Sequence, residues 1–343
     1  MPLTYLRFFS LLLANVVSVV ALSQTAANLP QSLSNLRQLD VAPSEFRGIP
    51  IPPEAASLPE VQALLNRSDW PVAERRCREI LLSRPLFADV HFLLGYALYR
   101  EGKAVESLQT YTAAAAIRRP QAADLMAVAA DYVILFDYSD ADLWFTKVTE
   151  WDSKGVLGWY YRGRAEYKLE KYADALAAFQ KALSLDSQNP RIIDNLGLTF
   201  EMLGDTVKAK SAFVSAIRME TDNPSGYSLP FLNLGTLLFN NNDLQGGIPL
   251  LERAVAMSPM NPKARETLAR AYQQKGNYAA AEEQLQAALV EAPNAPSLHF
   301  LLGRVYEKEG LRKKAEEEFQ QTAALNAQQV SSEVPDRVAA PSK

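Results

Sequence analysis

Apolar and small residues recur with a period of 34 residues along most of the chain. In the stretch 156–189, counted from Val156 as position 1, positions 8 and 20 are small and positions 4 and 24 are large and aromatic: Gly163, Ala175, Trp159, Phe179. This spacing predicts two short helices, joined by a turn at Glu170–Lys171, that approach closely where the small residues meet. Such a pair leaves one apolar face uncovered, so it must pack against a neighbouring pair.

The same register continues in both directions from this stretch. Position 8 is small throughout: Gly95, Ala129, Gly163, Gly197, Gly235, Ala269, Gly303. Position 20 is also small: Ser107, Ala141, Ala175, Ala209, Gly247, Ala281, Ala315. Position 24 is large: Tyr111, Phe145, Phe179, Phe213, Leu251, Leu285, Phe319. The pattern predicts seven units, with four residues inserted between the fourth and the fifth: 88–121, 122–155, 156–189, 190–223, 228–261, 262–295, 296–329.

This pattern resembles the tetratricopeptide repeat (TPR), a 34-residue helix–turn–helix unit. The resemblance implies an all-α fold, a right-handed α-solenoid of tandem helix pairs. It also implies that the first helix of each unit lines a concave groove, into which positions 2, 5, 6, 9, 12 and 13 point. The resemblance covers 88–329, so it leaves both ends of the chain to be interpreted separately.

Composition narrows the classes of protein that remain. The 343 residues include one Cys and two His, 22% are charged, and the formal net charge is −4. These values are typical of an ordinary globular chain. Mild acidity without a basic run argues against binding to nucleic acid. Cys77 has no partner for an intramolecular disulfide, and it falls at position 24 of a partial repeat, so we expect a buried structural thiol.

The N-terminal 87 residues divide into three predicted segments. Residues 1–23 carry Arg7 and an apolar run of about 15 residues, as expected of an export signal, so we expect an exported, periplasmic or secreted protein. An uncleaved N-terminal anchor is the alternative, and we expect no membrane insertion of the mature chain. Residues 24–53 read as a Pro-rich linker. Residues 54–87 read as a degenerate capping repeat, in which Ala73 and Cys77 match positions 20 and 24.

Two further segments interrupt or follow the repeats. The insertion Pro224–Tyr227, together with Gly246, Gly247 and Pro249 in the fifth unit, predicts a hinge or bend, because glycine lowers helix stability by about 1 kcal/mol relative to alanine. The tail 330–343 lacks apolar periodicity, so we expect it to be disordered.

The sequence contains no motif that predicts catalysis, a metal or a cofactor: it lacks G-x-S-x-G, GxxxxGK[ST], H-E-x-x-H and a Cys/His cluster. We therefore predict a protein that is not an enzyme. His91 and His299 both fall at position 4, which favours packing over ligation. The acidic run 137–142 lacks the Gly and closing Glu of a calcium loop, so we read it as a helix cap.

Function is then expected from the groove. Its predicted N-terminal half is aromatic and apolar, and its C-terminal half is polar. Partner contact is predicted for ten groove residues: Phe92, Tyr96, Tyr160, Arg164, Tyr167, Lys168, Asn195, Asn233, Arg270, Arg304.

The third unit is the strongest candidate within this set. Arg164 and Lys168 have no carboxylate three or four residues away on their helix, and Tyr and Arg are enriched in binding hot spots. A solvated face, or pairing with carboxylates of a neighbouring repeat, remains the alternative. Asn195 and Asn233 are similar to the asparagines with which related grooves hold a peptide backbone. The set of Lys, Asn and Arg used by chaperone-binding members for a terminal carboxylate is incomplete, because Leu229 stands at a position that needs a cation.

These observations predict a non-catalytic scaffold that binds an extended peptide or a segment of a partner protein in the groove. The alternative is a structural assembly factor of an envelope or secretory complex that acts through its edges or convex face. The chain also carries its own candidate ligand, the extended apolar segment Phe46–Pro53, which we predict to lie over the first units until a partner displaces it. The sequence leaves the oligomeric state open.

Overall fold

The computed structural model describes residues 49–333, with side chains as far as Gln328. This part of the chain contains a 3₁₀ helix, Pro53–Ser57, followed by sixteen α-helices and no strand. The predicted export signal (1–23), most of the predicted linker (24–48) and residues 334–343 lie outside the described residues, so what the sequence predicts for them stays a prediction.

The α-helices form eight consecutive pairs. The first pair precedes the seven predicted units, and the others follow their order. The helices are α1 (Pro59–Asn66), α2 (Trp70–Ser83), α3 (Ala88–Arg100), α4 (Ala104–Ile117), α5 (Ala122–Ile134), α6 (Tyr138–Trp151), α7 (Val156–Lys168), α8 (Tyr172–Leu185), α9 (Pro190–Met202), α10 (Thr206–Asp222), α11 (Leu229–Asn240), α12 (Leu244–Met257), α13 (Pro262–Lys275), α14 (Tyr278–Glu291), α15 (Pro296–Lys308) and α16 (Arg312–Glu333).

The two helices of a repeat meet at the small residue of position 8 and the large residue of position 24. A Cβ atom added at Gly163 would lie 2.9 Å from the Phe179 ring, and one at Gly197 would lie 2.5 Å from the Phe213 ring. Phe179 and Phe213 are fully buried. Close approach of the helices therefore explains why position 8 is restricted to Gly or Ala.

The turns inside the repeats combine a left-handed residue with an N-cap. Gly102, Gly204, Gly276 and Gly310 have φ between 77° and 82°, the region that glycine adopts without strain. In the second, fourth, fifth and sixth repeats, the second helix begins with a side chain that accepts a hydrogen bond from the backbone N–H three residues later, as Asp137 does from Asp140 at 3.1 Å. This contact confirms the predicted capping role of Asp137. The other caps of this kind are Asp205, Asp243 and Asn277.

The side chain at position 4 fastens each of four repeats to the loop before it. His91 Nε2 donates to the Pro85 carbonyl at 2.8 Å, and Trp159 Nε1 donates to the Ser153 carbonyl at 3.0 Å. Arg265 and His299 make the equivalent contact with the carbonyls of residues 259 and 293. The two histidines are thus structural, as predicted, and they act by hydrogen bonding as well as by packing.

The helix pair α1–α2 packs against α3 and carries a degenerate form of the same core. Ala73 and Cys77 are both 0% exposed. Burial raises the pKa of the Cys77 thiol to about 12, which keeps it protonated and unreactive at neutral pH. Pro59 and Pro71 lie in the first turns of their helices, where a missing N–H costs nothing. The predicted structural role of Cys77 is confirmed.

The chain divides into two compact units: one ends at Leu185, and the other begins at Asp186. This boundary does not fall at the predicted hinge. The insertion after the fourth repeat is instead held by Glu220, whose carboxylate accepts hydrogen bonds from the backbone N–H groups of Ser225, Gly226 and Tyr227 at 2.7–3.2 Å. The insertion, which contains Pro224 and Gly226, therefore forms a loop that is hydrogen-bonded to Glu220.

The predicted start of the disordered tail, residue 330, is wrong, because a helix continues past it. Helix α16 continues to Glu333, four residues beyond the predicted end of the seventh unit, because no Gly or Pro interrupts the chain before Pro335. Among the described residues, no helix is both long enough and apolar enough to cross a membrane.

Candidate peptide-binding groove

The segment Ile49–Ser57, which is extended as far as Pro52 and then forms the 3₁₀ helix Pro53–Ser57, packs on the first repeat, and we call it the strap. Ile49 is 2% exposed and Pro52 is buried, whereas Pro50 and Pro53 are exposed. Pro52 has φ −56° and ψ 142°, close to polyproline II, a conformation in which residues three apart share one face. The predicted extended conformation and its contact with the first repeat are therefore confirmed for Ile49–Pro52. Residues 46–48 lie outside the described part of the chain.

Tyr96 holds the strap in place. Its hydroxyl donates a hydrogen bond to the Ile49 carbonyl at 3.0 Å, and its ring meets the edge of Trp70 at 6.3 Å between centroids. Arg100 Nη1 donates to the Tyr96 hydroxyl at 2.9 Å, and the guanidinium stacks over Trp70 at 4.1 Å. Tyr96 was predicted to contact a partner, but in the structure this role is taken by a segment of the same chain.

Phe92 is also enclosed. It is 0% exposed and lies beneath the guanidinium of Arg118, 4.3 Å from the ring centroid. Arg118 Nη2 in turn donates to Glu54 Oε1 at 2.7 Å, and Gln121 Nε2 donates to the same oxygen at 2.8 Å. The Glu54 side chain is 3% exposed, so these contacts fasten the strap to the end of the first repeat. Phe92 and Tyr96 therefore do not line an open groove.

The third repeat, predicted to be the strongest site, presents fewer accessible groups than expected. Tyr160 is 9% exposed and packs against Phe179 at 6.0 Å between centroids, with Arg164 5.8 Å from its ring. Tyr167 packs edge-on against Tyr172. Of the four predicted residues in this repeat, Lys168 is exposed, Tyr160 is buried, and Arg164 and Tyr167 are half-buried. The aromatic residues of this repeat thus contribute to internal packing.

The two predicted asparagines make hydrogen bonds within the second compact unit. Asn195 Nδ2 donates to the Arg191 carbonyl at 2.8 Å, and Asn233 Nδ2 donates to Asp194 Oδ1 at 2.9 Å. Tyr227, from the insertion, donates its hydroxyl proton to Asp194 Oδ2 at 2.7 Å. Burial raises the pKa of Asp194 to about 6, although the two hydrogen bonds lower it. Asn233 therefore helps to stabilise a buried carboxylate.

The fifth, sixth and seventh repeats form a groove of about 500 Å³, which we call the C-terminal groove. It lies within the second compact unit and contains the two remaining predicted residues, Arg270 and Arg304. Its lining comes mainly from the first helices α11, α13 and α15: Phe239, Glu266, Arg270, Gln273, Gln274, Tyr278, Ser297, Phe300, Leu301, Arg304, Lys308.

Cations outnumber carboxylates in the lining of this groove. Arg270, Arg304 and Lys308 are exposed, and within the described part of the chain none of them forms an ion pair with a carboxylate. Glu266 is the single acidic residue of the lining, and it is paired with Lys263 at 3.4 Å. Arg304 and Lys308 are four residues apart on α15, a spacing at which like charges repel. The groove therefore presents an excess of positive charge.

Aromatic side chains supply the apolar part of the same groove. Arg270 lies 5.5 Å from the Phe239 ring centroid. Phe300 rests on Phe319 at 5.8 Å, yet it stays 45% exposed. An exposed aromatic beside unpaired cations is the combination that favours contact with a partner.

Sequence reasoning missed Phe239, Phe300 and Lys308, although all three stand at positions that point into the groove (12, 5 and 13). The signal was present, but the first units contain more aromatic residues and drew the prediction there. The strap helps to determine which aromatic side chains of the first repeat are covered. The 34-residue repeat pattern does not include the strap, so it does not predict this coverage.

Family models agree with this architecture. Models described as Tetratricopeptide repeat match residues 58–123, 232–296 and 266–330, and one described as TPR repeat matches residues 163–204. Together these matches cover more than half of the chain. The chain belongs to the tetratricopeptide repeat family. The predicted all-α solenoid class is thereby confirmed, and proteins of this TPR class generally act as non-catalytic scaffolds in protein–protein interaction.

Individual relatives are more distant. BBSome complex member BBS4 from Bos taurus is 28% identical over 122 residues, which make up 36% of this TPR chain and 22% of BBS4. A chain in the crystal structure of the APC/C hetero-tetramer Cut9–Hcn1 is 20% identical with a TM-score of 0.58, over 80% of this chain and 54% of that one. PilW, a widely conserved type IV pilus biogenesis factor, is 20% identical with a TM-score of 0.53, over 60% and 96%. At these identities the two structures show a shared fold only.

The chain thus spans about a fifth of BBS4 and about half of the Cut9–Hcn1 chain that it matches. Within residues 49–333, no group of three or more His, Cys, Asp or Glu side chains is arranged to hold a metal ion.

Proposed function

We propose that this TPR chain is a non-catalytic scaffold that binds an extended segment of a partner protein in the C-terminal groove. The observation that carries the proposal is the coincidence of an exposed aromatic, Phe300, with unpaired cations, Arg270, Arg304 and Lys308, in one groove of about 500 Å³. Clefts of this size with a few convergent polar groups are typical of ligand sites. We prefer this groove to the site that the sequence predicts in the third repeat, because the aromatic residues of the third repeat pack internally.

The strap supports the same mode of binding. It shows that the first helix of a repeat in this chain can hold an extended segment, with apolar contacts on one face and a side-chain donor to the segment's carbonyl. In the C-terminal groove, the arginines at position 9 would supply such donors. A guanidinium has five N–H donors, so it can bond a main-chain carbonyl or a carboxylate.

Selection of peptides from a random library displayed on phage tests this proposal. The full chain serves as bait, and the selected peptides are then titrated against wild type and two variants. One variant is R270E/R304E. The other, R253E, is the matched control, because Arg253 is an exposed arginine on α12 that does not line the groove.

We expect the selected peptides to bind wild type and R253E equally, and to bind R270E/R304E at least about tenfold more weakly. Peptides that bind all three proteins with the same affinity would place binding outside the groove. If no peptide is enriched and the purified chain forms a stable oligomer, the structural assembly factor is favoured instead.

A further inference from the structure

The first and seventh repeats share a four-residue constellation. Position 5 is Phe, position 9 is a hydrogen-bond donor, position 13 is a cation, and position 17 of the preceding pair is aromatic. In the first repeat these residues are Phe92, Tyr96, Arg100 and Trp70. In the seventh repeat they are Phe300, Arg304, Lys308 and Tyr278. The seventh-repeat residues all line the C-terminal groove.

In the first repeat, Tyr96 of the constellation bonds the strap, and the other three residues pack around Tyr96 or are buried. Tyr96 bonds the Ile49 carbonyl, Arg100 bonds Tyr96 and stacks on Trp70, and Phe92 is fully buried. The first repeat thus shows one segment of this chain held at the constellation through Tyr96. The bound segment is an aliphatic residue followed by prolines, and the carboxylate of Glu54, five residues after Ile49, is held outside the constellation by Arg118 and Gln121.

In the seventh repeat, the same constellation is open, and we call it the open site. Phe300 is 45% exposed, and Arg304 and Lys308 are exposed without a carboxylate partner in the described part of the chain. The third repeat also carries an aromatic, an arginine and a lysine at positions 5, 9 and 13, but its Tyr160 is 9% exposed and packs against Phe179. The seventh repeat is therefore the accessible copy.

One substitution between the two copies changes the chemistry of recognition. Position 9 is a tyrosine hydroxyl in the first repeat and a guanidinium in the seventh. The hydroxyl bonds one neutral carbonyl, whereas Arg304, with Lys308 and Arg270 nearby in the same groove, adds a requirement for negative charge. Carboxylates of a bound segment would offset the repulsion between these cations.

We propose that the open site binds a strap-like segment of a partner protein: an aliphatic residue and prolines in polyproline II conformation, followed by an acidic side chain. The proline-rich half places its apolar face against Phe300 and Tyr278, and a carbonyl accepts from Arg304. The acidic residue then lies among Lys308 and Arg270. This inference rests on the proposed function, since it specifies the ligand of the same groove.

The strap itself supplies the probe. A labelled synthetic peptide of Ile49–Ser57, IPIPPEAAS, is titrated with the full chain and followed by fluorescence anisotropy. The protein variants are R304E/K308E, F300S and the control R253E. F300S removes the apolar wall without changing charge, so the test does not depend on one variant remaining folded. A second peptide carries Glu54→Lys.

We expect equal binding to wild type and R253E, and binding at least about tenfold weaker to R304E/K308E, to F300S, and of the Glu54→Lys peptide to wild type. Binding that is unchanged in R304E/K308E but altered in Y96F would overturn the inference, because the peptide would then exchange with the strap on the first repeat. Absence of binding would also overturn it. The proposed function would survive that result if library peptides still depend on Arg270 and Arg304.

A second copy of the chain is the other possible source of such a segment. Sedimentation of the purified full chain separates the two sources. A concentration-dependent association that R304E/K308E abolishes would assign the open site to the strap of another copy and overturn the assignment to a partner protein. A monomer that binds the peptide supports the inference.

Discussion

The carboxyl group of Asp194 illustrates how a single residue can depend on a segment that the repeat pattern does not include. It is 1% exposed, and two side chains donate to it, the Tyr227 hydroxyl and the Asn233 amide. Burial raises its pKa to about 6. Because the folded state holds the proton more tightly than the unfolded state, this group's contribution to stability is lost as pH rises from about 4 to 6.

Tyr227→Phe should lower the free energy of unfolding at neutral pH by about 1–3 kcal/mol, because it leaves a buried carboxylate oxygen without its donor. Loss of that donor also raises the pKa of Asp194 further. The difference from wild type should therefore be smaller at about pH 5, where the carboxyl group is protonated. Urea unfolding followed by circular dichroism at both pH values measures this difference in the free energy of unfolding.

Tyr278→Phe is the matched control for this experiment, since Tyr278 lies in the same unit and its ring lines the C-terminal groove. It should change the stability little at either pH. An equal loss of stability in both variants, or a loss at Tyr227 that does not depend on pH, would contradict the role assigned to Asp194.

Individual site residues were predictable only where the first helix is uncovered. Arg270 and Arg304 follow from position 9 of the TPR pattern, and the structure places both in the C-terminal groove. Phe92 and Tyr96 follow from the same rule, yet both are buried: Tyr96 bonds the strap, and Phe92 lies beneath Arg118. Periodicity tells which face a residue occupies, but a contact 47 residues distant, such as Tyr96 to Ile49, is not part of the repeat.

At the scale of elements, the strap is the segment with the most direct test. Deletion of residues 24–53 removes Ile49 and Pro52 from the first repeat, and it should expose the ring of Tyr96, whose hydroxyl bonds the Ile49 carbonyl. Dyes such as ANS bind exposed apolar surface, so we expect their fluorescence to increase.

Deletion of residues 24–45 provides the comparison for the strap, because it leaves the segment Phe46–Pro53 in place. Dye binding should stay at the wild-type level in this shorter deletion. Equal dye binding in wild type and in both deletions would show that the strap does not cover apolar surface.

The close contact between the two helices of a repeat predicts a strong coupling between positions 8 and 24. In the fourth repeat, Gly197→Ala places a methyl group against the Phe213 ring, and overpacking of this kind costs about 1–3 kcal/mol. The helix-propensity gain of about 1 kcal/mol does not offset it fully. Phe213→Leu alone should also destabilise, because it leaves a cavity.

The double variant G197A/F213L should lose less stability than the sum of the single variants, since the smaller leucine makes room for the new methyl group. The fifth repeat already has a leucine at position 24, Leu251. A double-mutant cycle on the free energy of unfolding measures this coupling. Strict additivity would mean that the two helices adjust independently.

Most of the helical architecture could be predicted, and the reason is the repeat itself. The first helices of the seven pairs begin within one residue of the predicted units, since Gly, Pro and capping residues recur at fixed positions. The exceptions are segments that occur once. The insertion Pro224–Tyr227 is predicted to be a hinge, and its bonds to Glu220 are not part of the repeat pattern; α16 runs to Glu333 because no turn signal follows it.

At the scale of the whole molecule, buried carboxyl groups predict an unusual dependence of stability on pH. Burial raises the pKa of Asp124 and of Glu166 to about 7 each, and that of Asp131 well above its usual range. All three lie in the first compact unit. The folded unit holds protons that the unfolded chain has released, so its stability should fall as pH rises through the window from about 4 to 7.

Tryptophan fluorescence isolates this effect, because all four tryptophans belong to the same unit: Trp70, Trp144, Trp151, Trp159. The urea midpoint followed by fluorescence should be higher at about pH 5.5 than at about pH 8. In Asp131→Asn the difference between the two midpoints should shrink, since one titrating group is lost. A higher midpoint at pH 8 in wild type would contradict the predicted direction.

We propose that this TPR chain receives a partner in the C-terminal groove. The most direct test of this proposal is site-specific photo-cross-linking in the native host, with benzoylphenylalanine placed at Phe300 in one variant and at Val290 in another. Phe300 is 45% exposed inside the groove, whereas Val290 is 77% exposed on α14 and outside it. Mass spectrometry of the adducts then identifies the cross-linked segment.

We predict that Phe300 cross-links to one defined segment of a partner protein, that the adduct is lost when R270E/R304E is added, and that Val290 yields no such adduct. Cross-linking from Val290 with none from Phe300 would contradict binding in the C-terminal groove and would place the interface on the outer surface of the repeats.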